Sequence, residues 1–177
     1  MEQLDSILQQ GAAAIGMEYF LLPTHGGYSI HRERVYCYEL YHQRRLCWPR
    51  PESCPYRLNG EIDKIGRPYF RNERSKPKPD LLVHVPGAGD NYAVIEVKSS
   101  RARAREIRKD LRTLCRFADL GYRRRIYLVY GAVGVLDRIK ACADNAAVPI
   151  EVWFHPEAGA PSMLVFTLQP AGRQRDT

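Results

Sequence analysis

Apolar residues recur at helical spacing near the start of the chain. Leu4, Ile7, Leu8, Gly11, Ala12 and Ile15 predict an amphipathic helix over about residues 3–16. A short apolar run, Met17 to Leu22, stops at Pro23, and His25-Gly26-Gly27 marks a loop. The next helical stretch is Arg32 to Leu46, closed by Trp48-Pro49-Arg50-Pro51 and Cys54-Pro55, whose prolines cannot continue a helix. The pattern then turns strand-like over Arg57–Asp63, Asp80–Val85 and Tyr92–Lys98. Gly87-Ala88-Gly89-Asp90-Asn91 supplies hairpin chemistry between the last two. Residues 102–120 carry the strongest helical pattern. A strand follows at Ile126–Tyr130, a helix near Val135–Ala146, and strands at Ile150–Phe154 and Met163–Leu168. Gln169–Thr177 is polar and expected to fray.

Helix, three strands, helix, strand predicts an α/β fold, with a mixed central sheet and helices on both faces. The 177 residues suit one domain: a helical extension over 1–30, the αβββαβ core over 32–130, a further helix and strands over 131–168, and a tail at 169–177. With 45% hydrophobic and 27% charged residues, the chain is unlike a disordered tail. No apolar run approaches the ~18–20 residues needed to span a bilayer, and Met1-Glu2-Gln3-Leu4-Asp5 lacks a signal-peptide layout. A cytoplasmic protein without membrane contact is expected. The five cysteines are expected to be reduced thiols; a zinc clip built from His42, Cys47 and Cys54 is the alternative.

The chemistry concentrates in Lys78-Pro79-Asp80, fifteen residues, then Glu96-Val97-Lys98. Side chains alternate along a strand, so Glu96 and Lys98 share one face while Ala93, Ile95 and Val97 share the other. Asp80 opens the neighbouring strand, where it would lie beside Glu96. Two adjacent, partly buried carboxylates repel and call for a cation between them. Hard oxygen ligands suit Mg²⁺, and a lysine two residues on is placed to hold water or steady phosphate charge. On the second helix Val35, Tyr38, Glu39, His42 and Leu46 form one stripe, which would turn Glu39 toward the sheet. The bland readings are a turn-capping Asp80, a Glu96–Lys98 surface pair, and a satisfied Glu39–His42 pair. Glu61 and Asp63 share a strand face and are read either as structural or as assisting a metal.

Pro79-Asp80 followed by Glu96-Val97-Lys98 resembles the PD-(D/E)xK nuclease superfamily, whose restriction-endonuclease-like core runs helix, three strands, helix, strand. The resemblance implies that Asp80 and Glu96 are metal ligands, joined by the Val97 carbonyl, and that Lys98 serves the nucleophilic water. Glu39 corresponds to the acidic residue many members carry on the first core helix. Mg²⁺, with Mn²⁺ able to substitute, is the implied cofactor, and small members from prokaryotic restriction or phage-defence loci are the nearest likeness.

The charge then acquires a location. The chain carries 27 Lys+Arg against 20 Asp+Glu, a net +7, which alone only permits a nucleic-acid partner. Residues 101–125 hold ten basic and three acidic residues, also +7. Arg101, Arg105, Arg108, Arg112 and Arg116 fall within ~80° of one helix, opposite Ile107, Leu111, Leu114 and Ala118. Such a ridge suits phosphates, with Arg123-Arg124-Arg125 extending it; a solvated face is the alternative. The loop from Arg67 to Lys78 sets Tyr69 and Phe70 among Arg71, Arg74 and Lys76, a pattern for base stacking and backbone contact or simply for solubility. Walker, HExxH and nucleophile-elbow motifs are missing. The expectation is a nuclease acting on DNA, with RNA not excluded, as a homodimer or with partner proteins. The rival is a catalytically silent nucleic-acid-binding or assembly subunit of the same fold.

Overall fold

The computed structural model describes residues 3–60 and 78–170. The elements run α1 (Leu4–Ala13), α2 (Met17–Phe20), β1 (Leu22–Pro23), β2 (Ser29–Ile30), α3 (Glu33–Leu46), β3 (Arg57–Gly60), β4 (Leu81–His84), β5 (Asn91–Ser99), α4 (Ala104–Asp119), β6 (Arg124–Tyr130), α5 (Val135–Lys140), β7 (Ile150–His155) and β8 (Met163–Leu168). The helix expected over Val135–Ala146 ends at Lys140, and a single 3-10 turn covers Ala143–Asn145. Residues 61–63 of the first expected strand, 67–77 of the expected basic loop and 171–177 of the expected tail lie outside the described residues.

The protein is a mixed α/β structure built on one six-stranded sheet in the order β3-β4-β5-β6-β7-β8. β3, β4 and β5 form an antiparallel meander, β5, β6 and β7 run parallel, and β8 returns antiparallel. The parallel steps need crossovers, which α4 and α5 supply, so both sit on one face of the sheet. Ile107, Leu111, Leu114 and Phe117 of α4 pack with Val135 and Ile139 of α5 against Leu82, Val94, Tyr127, Val129 and Val152. Each such side chain stabilises by ~1.5–3 kcal/mol relative to exposure.

Alternate positions of the same strands, Leu81, Val83, Ala93, Ile95, Val97, Ile126 and Leu128, meet Leu4 and Leu8 of α1, Phe20 of α2, and Tyr36 and Leu40 of α3 on the opposite face. The N-terminal helices are thus part of this core. Ser162 Oγ donates to the Leu8 carbonyl at 3.0 Å, and Gly159 N to that of Ile15 at 3.1 Å. Tyr36 stacks on Tyr130 with ring centroids 3.8 Å apart, and its hydroxyl lies 2.7 Å from Nδ1 of His155. Burial lowers the His155 pKa to about 4, so this buried imidazole is neutral at physiological pH.

The α3 stripe is the one place where periodicity points the wrong way. Tyr38 and Leu46 are exposed, while Tyr36, Leu40 and Arg44 are buried. The helix is turned by about 140° from the Val35–Leu46 stripe, because Tyr36 and Leu40 fill the space under β5 and β6. Among the described residues no helix is long and apolar enough to cross a membrane.

Candidate active site

Unequal strand lengths open the site. β4 begins at Leu81, opposite Ile95, whereas β5 runs on to Ser99. Beyond Ile95 the β4-side edge of β5 therefore has no ladder partner from β4, and its backbone groups are open to other partners. Asp80, one residue ahead of β4, takes this place: its Oδ2 accepts from the Val97 N–H at 2.7 Å. The N–H and C=O of one strand residue lie along the same edge, so the Val97 carbonyl is directed to the same gap.

Asp80 also meets Glu96 carboxyl to carboxyl, in hydrogen-bond contact. Burial pushes both acids above the ordinary carboxylate range, and Glu96, only 6% exposed, is raised further by the charges of Asp80 and Asp110. Two carboxyl groups this close share a proton unless a cation replaces it. Lys98 follows on the same strand face as Glu96. Its Nζ lies 3.2 Å from Glu33 Oε2 and 3.8 Å from Asp110 Oδ2. Burial alone would weaken the ammonium, but Asp110, Glu33, Asp80 and Glu96 together outweigh it and raise the Lys98 pKa. Lys98 is consequently a fixed cation at neutral pH and not a proton acceptor.

Glu33 and Asp110 join the site although the sequence motif names neither. Glu33 stands in the first turn of α3, where a carboxylate is favoured by the helix dipole. Its Oε1 accepts from both the backbone N–H and the hydroxyl of Ser99 at 3.3 Å, so one carboxylate ties α3 to the end of β5. Asp110 comes from the other face, on α4, buried at 5% between Ile107 and Leu111. Burial raises its pKa to about 6 despite Lys98 and Lys109. An acid set in the apolar stripe of α4 was a signal in the sequence; nothing comparable marked Glu33.

Glu39 does not join this cluster. The rotation of α3 carries it about 120° from Glu33, where its Oε1 accepts from Gln43 Nε2 at 2.6 Å. Glu33 takes the position that Glu39 was expected to fill. Glu33→Gln is accordingly expected to lower any activity of the site about tenfold by loosening Lys98, while Glu39→Gln leaves it within twofold. Parallel rate measurements on the two variants check this, and the reverse order would restore Glu39.

Asp80, Glu96 and Lys98 are brought together, with the Val97 carbonyl at the same gap. No group of three or more His, Cys, Asp or Glu side chains among the described residues is arranged to hold a metal ion. That includes His42, Cys47 and Cys54, whose thiols are free. A cation here would rest on two side-chain carboxylates and a backbone oxygen, and the crowded Asp80–Glu96 pair fits that donor set.

Arg101, Arg105, Arg108, Arg112 and Arg116 are all exposed. Arg112 donates to Asn145 Oδ1 at 3.0 Å. The ridge lies roughly 160° around α4 from Asp110, so it faces away from the carboxylates, and Arg101, in the turn after β5, is nearest in sequence to Lys98. Arg123-Arg124-Arg125 does not extend the ridge. Arg124 pairs with Glu151 and Asp5, Arg123 with Asp90, and Arg125 donates to backbone carbonyls of Tyr122, Arg123 and Pro149. Arg71, Arg74, Lys76, Glu61 and Asp63 lie outside the described residues. Compared with protein-family models, curated proteins and solved structures, the chain gives no significant match.

Proposed function

We propose that the protein is a metal-dependent nuclease of the PD-(D/E)xK type, hydrolysing phosphodiester bonds in DNA. The observation that carries this reading is the Asp80–Glu96 carboxyl pair at the open edge of β5, with a locked ammonium, Lys98, on the same strand face. The order α3, β3, β4, β5, α4, β6, with β5 and β6 parallel, supports a restriction-endonuclease-like core. Asp80, Glu96 and the Val97 carbonyl would hold Mg²⁺ or Mn²⁺, which supplies Lewis acidity at phosphate and lowers the pKa of water. Lys98, kept cationic by Glu33 and Asp110, orients the attacking water and offsets charge building on the phosphoryl oxygens. Asp80, through its bond to the Val97 N–H, fixes the edge against which Glu96 is set.

The exposed arginines of α4 would engage the backbone at a distance from the chemistry, with salt-sensitive affinity. A silent nucleic-acid-binding subunit would need that ridge but not a crowded acidic pair beside a half-buried lysine. Purified protein is expected to nick supercoiled plasmid with Mg²⁺ or Mn²⁺ and to stop on chelation, with Lys98→Met protein from the same preparation as the control. Cleavage that persists in chelator, or equally in the control, would sink the assignment.

A further inference from the structure

Two recesses meet at Asp80. One, of about 240 Å³, is lined by Glu33, Arg34, Cys37 and Asp80. The other, of about 340 Å³, is lined by Tyr38, Tyr41, Asn59, Gly60 and Asp80, among others. The first is charged and belongs to the phosphate chemistry above. The second has a different character, and the nuclease reading makes no use of it. Its size falls at the lower end of pockets that take small ligands, room for a planar ring system rather than a duplex.

The lining of the second recess matches a nucleobase. Tyr38 is 58% exposed, while Tyr36 and Leu40 on the inner side of the same helix are buried, so its ring is offered to solvent at the mouth. The Tyr41 hydroxyl donates to the Leu58 carbonyl at 3.5 Å, which steadies the second ring. Asn59 Oδ1 lies 2.9 Å from Nε2 of His84. That side chain points to the face of Leu82 and His84, so Asn59 borders the recess through its backbone. Gly60 leaves the floor bare: a Cβ there would lie 3.8 Å from the Tyr41 ring and 3.6 Å from the Asp80 carbonyl. Two tyrosines over a bare backbone floor, in a recess that Asp80 also lines, form a base site beside a phosphate site.

We propose that this recess receives one unpaired nucleobase next to the phosphodiester being cut, so that the substrate is single-stranded or frayed nucleic acid. The inference rests on the nuclease reading for its phosphate half. In a duplex each base is stacked and paired, and none can enter a recess without being extruded at a cost. A single strand offers its π-faces directly, and stacking on Tyr38 then adds affinity without demanding a particular sequence.

Binding is measured without turnover, by fluorescence anisotropy in Ca²⁺, using short labelled single-stranded DNA and a blunt duplex of the same length. Tyr38→Ala should weaken the single strand roughly tenfold, leave the duplex within twofold, and be rescued by Tyr38→Phe. A single abasic nucleotide moved along the strand should cost wild-type protein a similar factor at one position, and cost Tyr38→Ala nothing there. Equal losses on both DNAs, an abasic penalty that survives in Tyr38→Ala, or no measurable single-strand binding by wild-type protein overturns the proposal. The two readings fail separately. Tyr38-dependent binding with no cleavage under any metal removes the nuclease and keeps the base site; metal-dependent cleavage without Tyr38 selectivity does the reverse.

Discussion

Lys98→Met is expected to reduce metal-dependent cleavage by about 10²–10³-fold, the usual loss when one preorganised electrostatic contact to the transition state is removed. Methionine keeps an unbranched apolar stem like that of lysine and removes the ammonium group. The substitution also touches stability. Asp110 is buried, its pKa already about 6, and Lys98 lies 3.8 Å away. Without the ammonium its carboxylate becomes an unpaired buried charge, costing about 2–3 kcal/mol, less than for a fully enclosed pair because the lysine side chain keeps 19% of its exposure. The double variant Lys98→Met/Asp110→Asn separates the two effects. It is expected to return to within about 1 kcal/mol of wild-type stability by urea unfolding while remaining as inactive as the single variant. Recovery of cleavage in the double variant would mean that Lys98 acts only through folding.

The second large effect has the opposite sign: Arg44→Met is expected to stabilise the protein by about 1–3 kcal/mol. Arg44 is 1% exposed, and its three guanidinium nitrogens form no hydrogen bond among the described residues. Burial lowers its pKa from the ordinary guanidinium range to about 10, a difference worth about 3 kcal/mol of desolvation borne by the charged form. The stem is well accommodated. A Cβ on Gly11 of α1 would meet Arg44 Cγ at 2.5 Å, so the glycine makes the space through which the arginine passes. Methionine retains that packing and removes the uncompensated charge. A higher urea midpoint with unchanged slope is the expected result. A loss of stability instead would show that the guanidinium has a partner, such as a buried water, that offsets its burial.

Most of the architecture was legible because two periodicities carried it. The 3.6-residue spacing of Ile107, Leu111 and Leu114 and the two-residue alternation of Ala93, Ile95 and Val97 each admit one way of burying their apolar face. The order of elements followed, and so did the neighbourhood of Asp80 and Glu96, since a short connection between antiparallel strands fixes register. The exposed arginines were legible for the same reason, standing opposite a clear apolar stripe. What failed was α3. Its true inner face, Glu33, Tyr36, Cys37, Leu40 and Arg44, carries two charges, whereas the opposite face offers Val35, Tyr38 and Leu46. A count of apolar residues, three on each face, therefore does not single out the inner side, and the charges on it turn the reading toward Glu39.

The sequence by itself determined the α/β order, Asp80 at the head of β4, the strand-borne Glu96 and Lys98, and a basic helix after them, because these depend on local spacing and adjacent-strand pairing. Only the tertiary structure decided which carboxylates meet the lysine. Glu33 reaches it because the open edge of β5 accepts the start of α3, and Asp110 because the buried side of α4 passes over Lys98. Both choices are set by how helices rotate on a sheet, which is the sum of many packing contacts and one buried arginine, and no local spacing encodes it.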